Sequence, residues 1–229
     1  EARYDGEISY LDGEVHRLVR ALDALPGRTM VVFLSDHGEE FWEHGGYEHN
    51  HTLYDEVTRS LLWVRPPGGR EGGGVVEGAA SLADIVPTVL DAVGVPEDDR
   101  PPLDGVSLAA ADDALPDPPA DRALPIGHLM FAPERWAVVR GDHKYILETG
   151  SGREELYDLA ADPREQQNRS GRPEADLPRW RAVLADATGF PVLEGWRLTL
   201  KGTRAPFRLA FPEPVTAAWI VDPEALRSR

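Results

Sequence analysis

The chain has 229 residues, 41% of them hydrophobic, enough for one large or two small domains with a buried core. Lys and Arg number 24 against 40 Asp and Glu, and the net charge of −16 argues against a nucleic-acid backbone or an anionic membrane surface as partner. The absence of cysteine excludes a disulfide framework, a Cys-ligated metal and a cysteine nucleophile within this chain, and no apolar run approaches the ~20 residues of a membrane-spanning helix.

Apolar residues at Tyr4, Ile8, Leu11, Val15, Leu18, Leu22 and Leu25 recur in steps of three and four, which predicts an amphipathic helix closed by Pro26-Gly27. The helical pattern starts almost at residue 1, which is Glu, so the chain is expected to begin inside a longer sequence. Thr29–Leu34 is a short β-branched apolar run, suited to a strand buried on both faces of a parallel sheet, and Leu61–Val64 reads as a second such strand. Leu82, Ile85, Val86, Val89, Leu90 and Val93 form another helical stripe, with Pro87 in its first turn and Gly94 just past its end. This order predicts an α/β layer architecture, with helices on a mostly parallel sheet.

Residues 96–125 are rich in proline and acidic side chains and read as a solvated connection. Beyond it Arg135–Arg140, Lys144–Leu147 and Glu155–Leu159 are short strands separated by glycine turns, an antiparallel meander, and Pro173–Thr188 reads as a helix. Trp196–Lys201, Phe207–Phe211 and Thr216–Val221 are three further strand candidates. The domain reading is therefore 1–112 as part of an α/β domain, 113–190 as a small antiparallel subdomain with a helix, and 191–229 as a β-rich extension.

Chemistry concentrates in Ser35-Asp36-His37-Gly38-Glu39-Glu40, where the first strand ends, followed by His44, His49 and His51. Ligands of open α/β sheets bind at the carboxyl ends of strands, and Gly38 permits a sharp turn there. A carboxylate beside an imidazole suits a divalent cation, the oxygen favouring Ca²⁺ or Mg²⁺ and the histidine admitting Zn²⁺ or Mn²⁺. On spacing alone a solvated polar loop, with Asp36 capping a turn, explains the same residues. Glu39 and Glu40 read as outer supporting or exposed groups, and His44 as part of the loop's solvated portion.

The run from Ser35 to Gly46, with His49-Asn50-His51-Thr52-Leu53-Tyr54-Asp55-Glu56, resembles the sulfatase family of the alkaline-phosphatase-like superfamily. Collinear matches follow: Tyr4–Ile8 with Asp12, Leu62–Gly68, Asp84–Leu90, Gly94–Pro96, Asp104–Leu108, Lys144–Ile146, and Glu155–Leu159 with Asp162-Pro163 and Glu165–Asn168. They extend over roughly residues 4–170.

The resemblance implies an alkaline-phosphatase-like sandwich and a sulfuric ester hydrolase acting on a sulfated small molecule or glycan. It implies Asp36 and His37 as ligands of a divalent metal, Ca²⁺ in the family, with Zn²⁺ or Mn²⁺ as the other ions this pair admits. His49 or His51 stands where the family usually has a Lys or His contacting the sulfate or leaving group, because no lysine occurs between residues 36 and 60. The formylglycine nucleophile is made from Cys or Ser in Cys/Ser-x-Pro-x-Arg, absent here, so it and the first Asp-Asp metal pair are expected upstream. The chain alone is then expected to be inactive. Export to the periplasm or outside the cell is frequent in the family. Two other readings share these motifs: a metal-dependent phosphodiesterase or phosphoethanolamine-transferase relative, and a non-catalytic sulfatase-like binding protein.

Overall fold

The computed structural model describes residues 1–67, 74–109, 117–127, 129 and 133–189. The β-rich reading of residues 191–229 lies outside them.

Helix α1 is Ala2–Asp23, as its stripe predicts, yet none of its residues is buried and Ile8, Leu11 and Leu18 are at least half exposed. Its tie to the site segment is an edge-on contact of Tyr4 with the Phe41 ring at 5.0 Å. Strands β1 (Val31–Leu34) and β4 (Leu62–Arg65) are antiparallel partners, with Leu34 opposite Leu62. Both are half-buried, and Trp63 is 45% exposed. The expectation of two strands buried on both faces and running parallel is therefore not met by this pair. A continuous apolar run reports hydrophobicity, and neither strand direction nor how far its faces are covered.

Between β1 and β4 the chain forms a small hairpin, β2 (Glu40–Phe41) with β3 (Tyr47–Glu48), and one turn of helix, α2 (Asp55–Thr58). The next predicted helix is realised as a 3₁₀ turn, Leu82–Asp84, running into α3 (Ile85–Ala92). Ser81 caps it, its hydroxyl accepting from the Ala83 amide while Asp84 accepts from the Ser81 amide. Pro87 sits near the start of α3, where its missing N–H costs no helical bond.

The second half is an antiparallel sheet in the order β5-β6-β7-β8: Ala123–Gly127, Arg135–Arg140, His143–Glu148 and Arg153–Asp158. Three of these strands were predicted. β5 falls in the proline-rich stretch, and it accommodates Pro125 because it is an edge strand that can spare one donor. Gly127 faces Trp136 in register, and a Cβ there would lie 2.2 Å from the indole ring. The predicted terminal helix is divided at Asp176, whose backbone is left-handed, into the turn Pro173–Ala175 and α4 (Leu177–Thr188).

Both faces of this sheet are used. Val138, Tyr145 and Leu156 pack under Trp180 and Leu184, one turn apart on α4. Ala137, Ile146 and Tyr157 pack on the other side with Leu53, which comes from the histidine-rich segment. Burying a leucine side chain contributes about 2 kcal/mol, so that segment is anchored on the sheet. Among the described residues no helix is long and apolar enough to cross a membrane.

Candidate active site

Asp36 and His37 leave β1 at its carboxyl end. Gly38 turns the chain there, its amide donating to the Val57 carbonyl at 2.8 Å. A Cβ on Gly38 would stand 2.1 Å from the Glu56 carbonyl oxygen, so the approach of this turn to α2 requires glycine. The Ser35 hydroxyl accepts from the Leu61 amide, and Ser60 donates to the Asp36 carbonyl, tying the end of β1 to the start of β4.

The Asp36 carboxylate is exposed, and its Oδ1 lies 3.7 Å from His37 Nε2. His37 Nδ1 is 2.8 Å from the Gly38 carbonyl. A carbonyl can only accept, so Nδ1 carries the hydrogen and Nε2 presents its lone pair on the side of the carboxylate. That is the tautomer a metal ligand needs. Two donors at this separation can reach one cation, since ligands ~2.1–2.4 Å from a metal stand about 3–4 Å apart in adjacent positions. Among the described residues no group of three or more His, Asp or Glu side chains forms a complete cage. Asp36 and His37 thus fit a divalent ion as two of its ligands.

His49, next to the end of β3, lies against His37 with ring centroids 4.1 Å apart. Its Nδ1 is 3.2 Å from Glu39 Oε1, so Nδ1 donates to the carboxylate and Nε2 is the nitrogen that can exchange a proton. The structure therefore brings together Asp36, His37 and His49. His51 is placed through its backbone, its carbonyl accepting from Arg135 Nη1 at 3.3 Å.

His44 departs from the reading as a solvated loop residue. Its side chain is 12% exposed and stacks on Tyr54 at 3.7 Å, with Nδ1 on the Glu56 carboxylate and Nε2 3.1 Å from the Glu165 carbonyl. Burial acts to lower its pKa, but the Glu56 carboxylate and the Glu165 carbonyl outweigh it, and the pKa is raised above the usual 6.5.

Of the two readings for Glu40, supporting or exposed, its burial selects the supporting one. Glu40 is 1% exposed and accepts from the amides of His44 and Gly46 and from the Thr52 hydroxyl, closing the loop around its carboxylate.

Lys144 and Glu165 stand in the collinear motifs, and the structure adds what the sequence did not show: both side chains are fully buried and 3.1 Å apart, joining α2 to the second sheet. The signal available was a lone lysine in the apolar stretch Lys144-Tyr145-Ile146.

The sulfatase family model matches residues 2–95. Choline-sulfatase of Rhizobium meliloti is 29% identical over 98% of this chain and 42% of its own length. N-acetylglucosamine-6-O-sulfatase of Bacteroides thetaiotaomicron is 30% identical over 75% of this chain and 32% of its own. The solved structure of BT4656, in complex with its substrate D-glucosamine-2-N,6-O-disulfate, superposes with a TM-score of 0.68 at 25% identity, covering 80% of this chain and 39% of that one. The chain thus spans less than half the length of these relatives. Its strand-end Asp-His-Gly turn and its collinear motifs agree with the matched model and the shared fold: over residues 2–95 this chain matches the sulfatase family, and it shares the fold of sulfatases in the alkaline-phosphatase-like superfamily.

Proposed function

We propose that this chain carries part of the active site of a sulfuric ester hydrolase, and that its substrate is a sulfated small molecule or glycan. The names of the relatives and the sulfated amino sugar bound to BT4656 support that substrate class. The observation that carries the reading is the approach of the His49 ring to His37, centroids 4.1 Å apart, beside the Asp36 carboxylate, which sets an imidazole next to two metal-type donors.

Asp36 and His37 hold the divalent cation in this reading, Ca²⁺ on the family resemblance. When bound, the cation supplies positive charge to the sulfate oxygens, and a formylglycine outside this chain supplies the nucleophile. The Gly38 turn keeps Asp36 and His37 at the strand end. Glu39 orients the His49 ring through Nδ1, so His49 gives its Nε2 proton to the departing alcohol oxygen as the ester bond breaks. His51 is the second candidate for that transfer, on the same segment.

The test uses the intact protein that contains this chain, assayed with an aryl sulfate and an alkyl sulfate alongside metal analysis. Asp36→Ala and His37→Ala are expected to lose both bound metal and turnover. His49→Ala is expected to retain metal and lose kcat by roughly 10²–10⁴ on the alkyl ester, and by less on the aryl ester, whose leaving group needs no proton. Turnover of a phosphodiester with none of a sulfate ester overturns the proposal, as does wild-type activity in both His49→Ala and His51→Ala.

A further inference from the structure

The segment from His44 to Thr58 is held by the second sheet as much as by its neighbours in sequence. Lys144 on β7 reaches Asp55 Oδ1 at 2.9 Å, the Thr58 hydroxyl at 3.2 Å and Glu165 Oε1 at 3.1 Å. Glu165 returns along the same path, its Oε2 accepting from the Asp55 amide at 2.6 Å and its carbonyl from His44. Tyr54 donates to Glu155 on β8, which also accepts from Tyr157, and Arg135 on β6 holds the His51 carbonyl.

A buried Lys–Glu pair is a costly way to gain stability, because apolar side chains of similar volume serve as well or better. What such a pair adds is direction. The Lys144 ammonium has fixed acceptors on both Asp55 and Thr58 of α2 and on Glu165, so it sets the height and rotation of the helical turn that follows His51. Glu165 lies in a left-handed backbone conformation, φ 51°, an arrangement that costs energy for a residue with a side chain and is kept only where its surroundings enforce it.

We propose that Lys144 and Glu165 are positioning residues of the active site: from the second sheet they hold the segment carrying His49 and His51 in place against Asp36 and His37. This rests on the sulfate-ester reading for what the histidines do, and on the geometry alone for what holds them. The sheet is then part of the catalytic apparatus without touching substrate.

The experiment compares the intact protein with its Lys144→Met/Glu165→Gln variant, which removes both buried charges at nearly constant volume, and with Glu165→Gln alone should the pair not fold. Hydrogen exchange is followed by peptide, and kcat and KM with a sulfate ester. Expected is exchange faster by at least tenfold in peptides spanning 44–58, with β1 and β6–β8 unchanged, and kcat lower by roughly tenfold to a hundredfold with KM within about twofold, the signature of displaced groups. Unchanged exchange in 44–58 overturns the proposal, as does faster exchange there with unchanged kcat. Acceleration spread equally over the sheet marks a merely structural pair and overturns it too. If the wild type turns over no sulfate ester, the sulfate-ester reading fails by itself, and the exchange comparison still decides whether the hub holds the segment.

Discussion

The carboxylate of Glu40 accepts a hydrogen bond from the Gly46 amide at 2.8 Å inside a hairpin loop, with Glu40 itself 1% exposed. The same carboxylate takes the His44 amide at 3.2 Å and the Thr52 hydroxyl at 3.4 Å. One side chain thereby satisfies donors on both sides of the loop. Glu40→Ala leaves them without their acceptor, and stranding buried donors costs about 1–3 kcal/mol for each group that water cannot reach. A loss of about 3 kcal/mol is expected in chemical denaturation. Glu40→Gln, which keeps one acceptor oxygen, is expected to lose about half as much.

Gly38 is expected to tolerate no side chain. An alanine Cβ would come within 2.1 Å of the Glu56 carbonyl, which is backbone and cannot swing aside, and would force apart the bond from the Gly38 amide to the Val57 carbonyl. Gly38→Ala should cost about 2 kcal/mol or more, and in the proposed reading it should weaken metal retention, since His37 is the adjacent residue. Calorimetry with metal analysis on the intact protein checks both. Full metal content at wild-type stability would count against the turn's role.

Asp84 and Arg122 make an ion pair that should set an acid limit to stability. Asp84 is fully buried and accepts from Arg122 Nη1 and Nη2 at 2.7 and 2.6 Å and from the amides of Ser81 and Val106. Burial pushes its carboxyl up, but Arg122 and the two amides prevail, and the pKa lies below the usual 3.8. A carboxyl with a depressed native pKa contributes stability that is fully present above the unfolded value and is lost as pH falls through the folded one. Stability should therefore fall below about pH 4, and Asp84→Asn should flatten that limb. Removing one partner of a buried pair should also cost about 3–5 kcal/mol at neutral pH. Denaturation profiles from pH 2.5 to 7 measure both effects.

How much of this was legible in the sequence depended on whether the deciding interaction was local. The α1 stripe, the bounds of β6 and the α4 helix follow from periodicity and glycine turns, which act over a few residues. The place of Asp36 and His37 at a strand end was legible because a strand end followed by glycine is itself a local pattern. The β1–β4 direction was not legible, because direction depends on a partner thirty residues away. The burial of Lys144 and Glu165 was not legible for a related reason: a charged residue looks exposed in a sequence, and its burial is decided by partners such as Asp55, 89 residues before Lys144. His44 shows the same limit, since Glu165 lies 121 residues beyond it.

His44 supplies the last prediction, at the alkaline side. Both its ring nitrogens face acceptors, the Glu56 carboxylate at Nδ1 and the Glu165 carbonyl at Nε2, which both ring hydrogens of the imidazolium satisfy at once. Tyr54 stacks on the ring, Glu40 takes the His44 backbone amide, and Gln166 Nε2 lies 3.2 Å from Nε2 as the donor available once that proton leaves. Burial lowers the pKa, Glu56 and Glu165 raise it further, and the folded value lies above 6.5. For a histidine with a raised native pKa the contribution is fully present below the unfolded value and is lost as pH rises through the folded one. Stability of the loop should therefore decline from about pH 6.5 upward. His44→Gln should remove that decline and leave a protein less stable at pH 6, by about 1 kcal/mol for a partly buried ion pair. Thermal denaturation of both proteins between pH 5.5 and 9 tests this, and parallel curves for wild type and variant would show that His44 is not the titrating group.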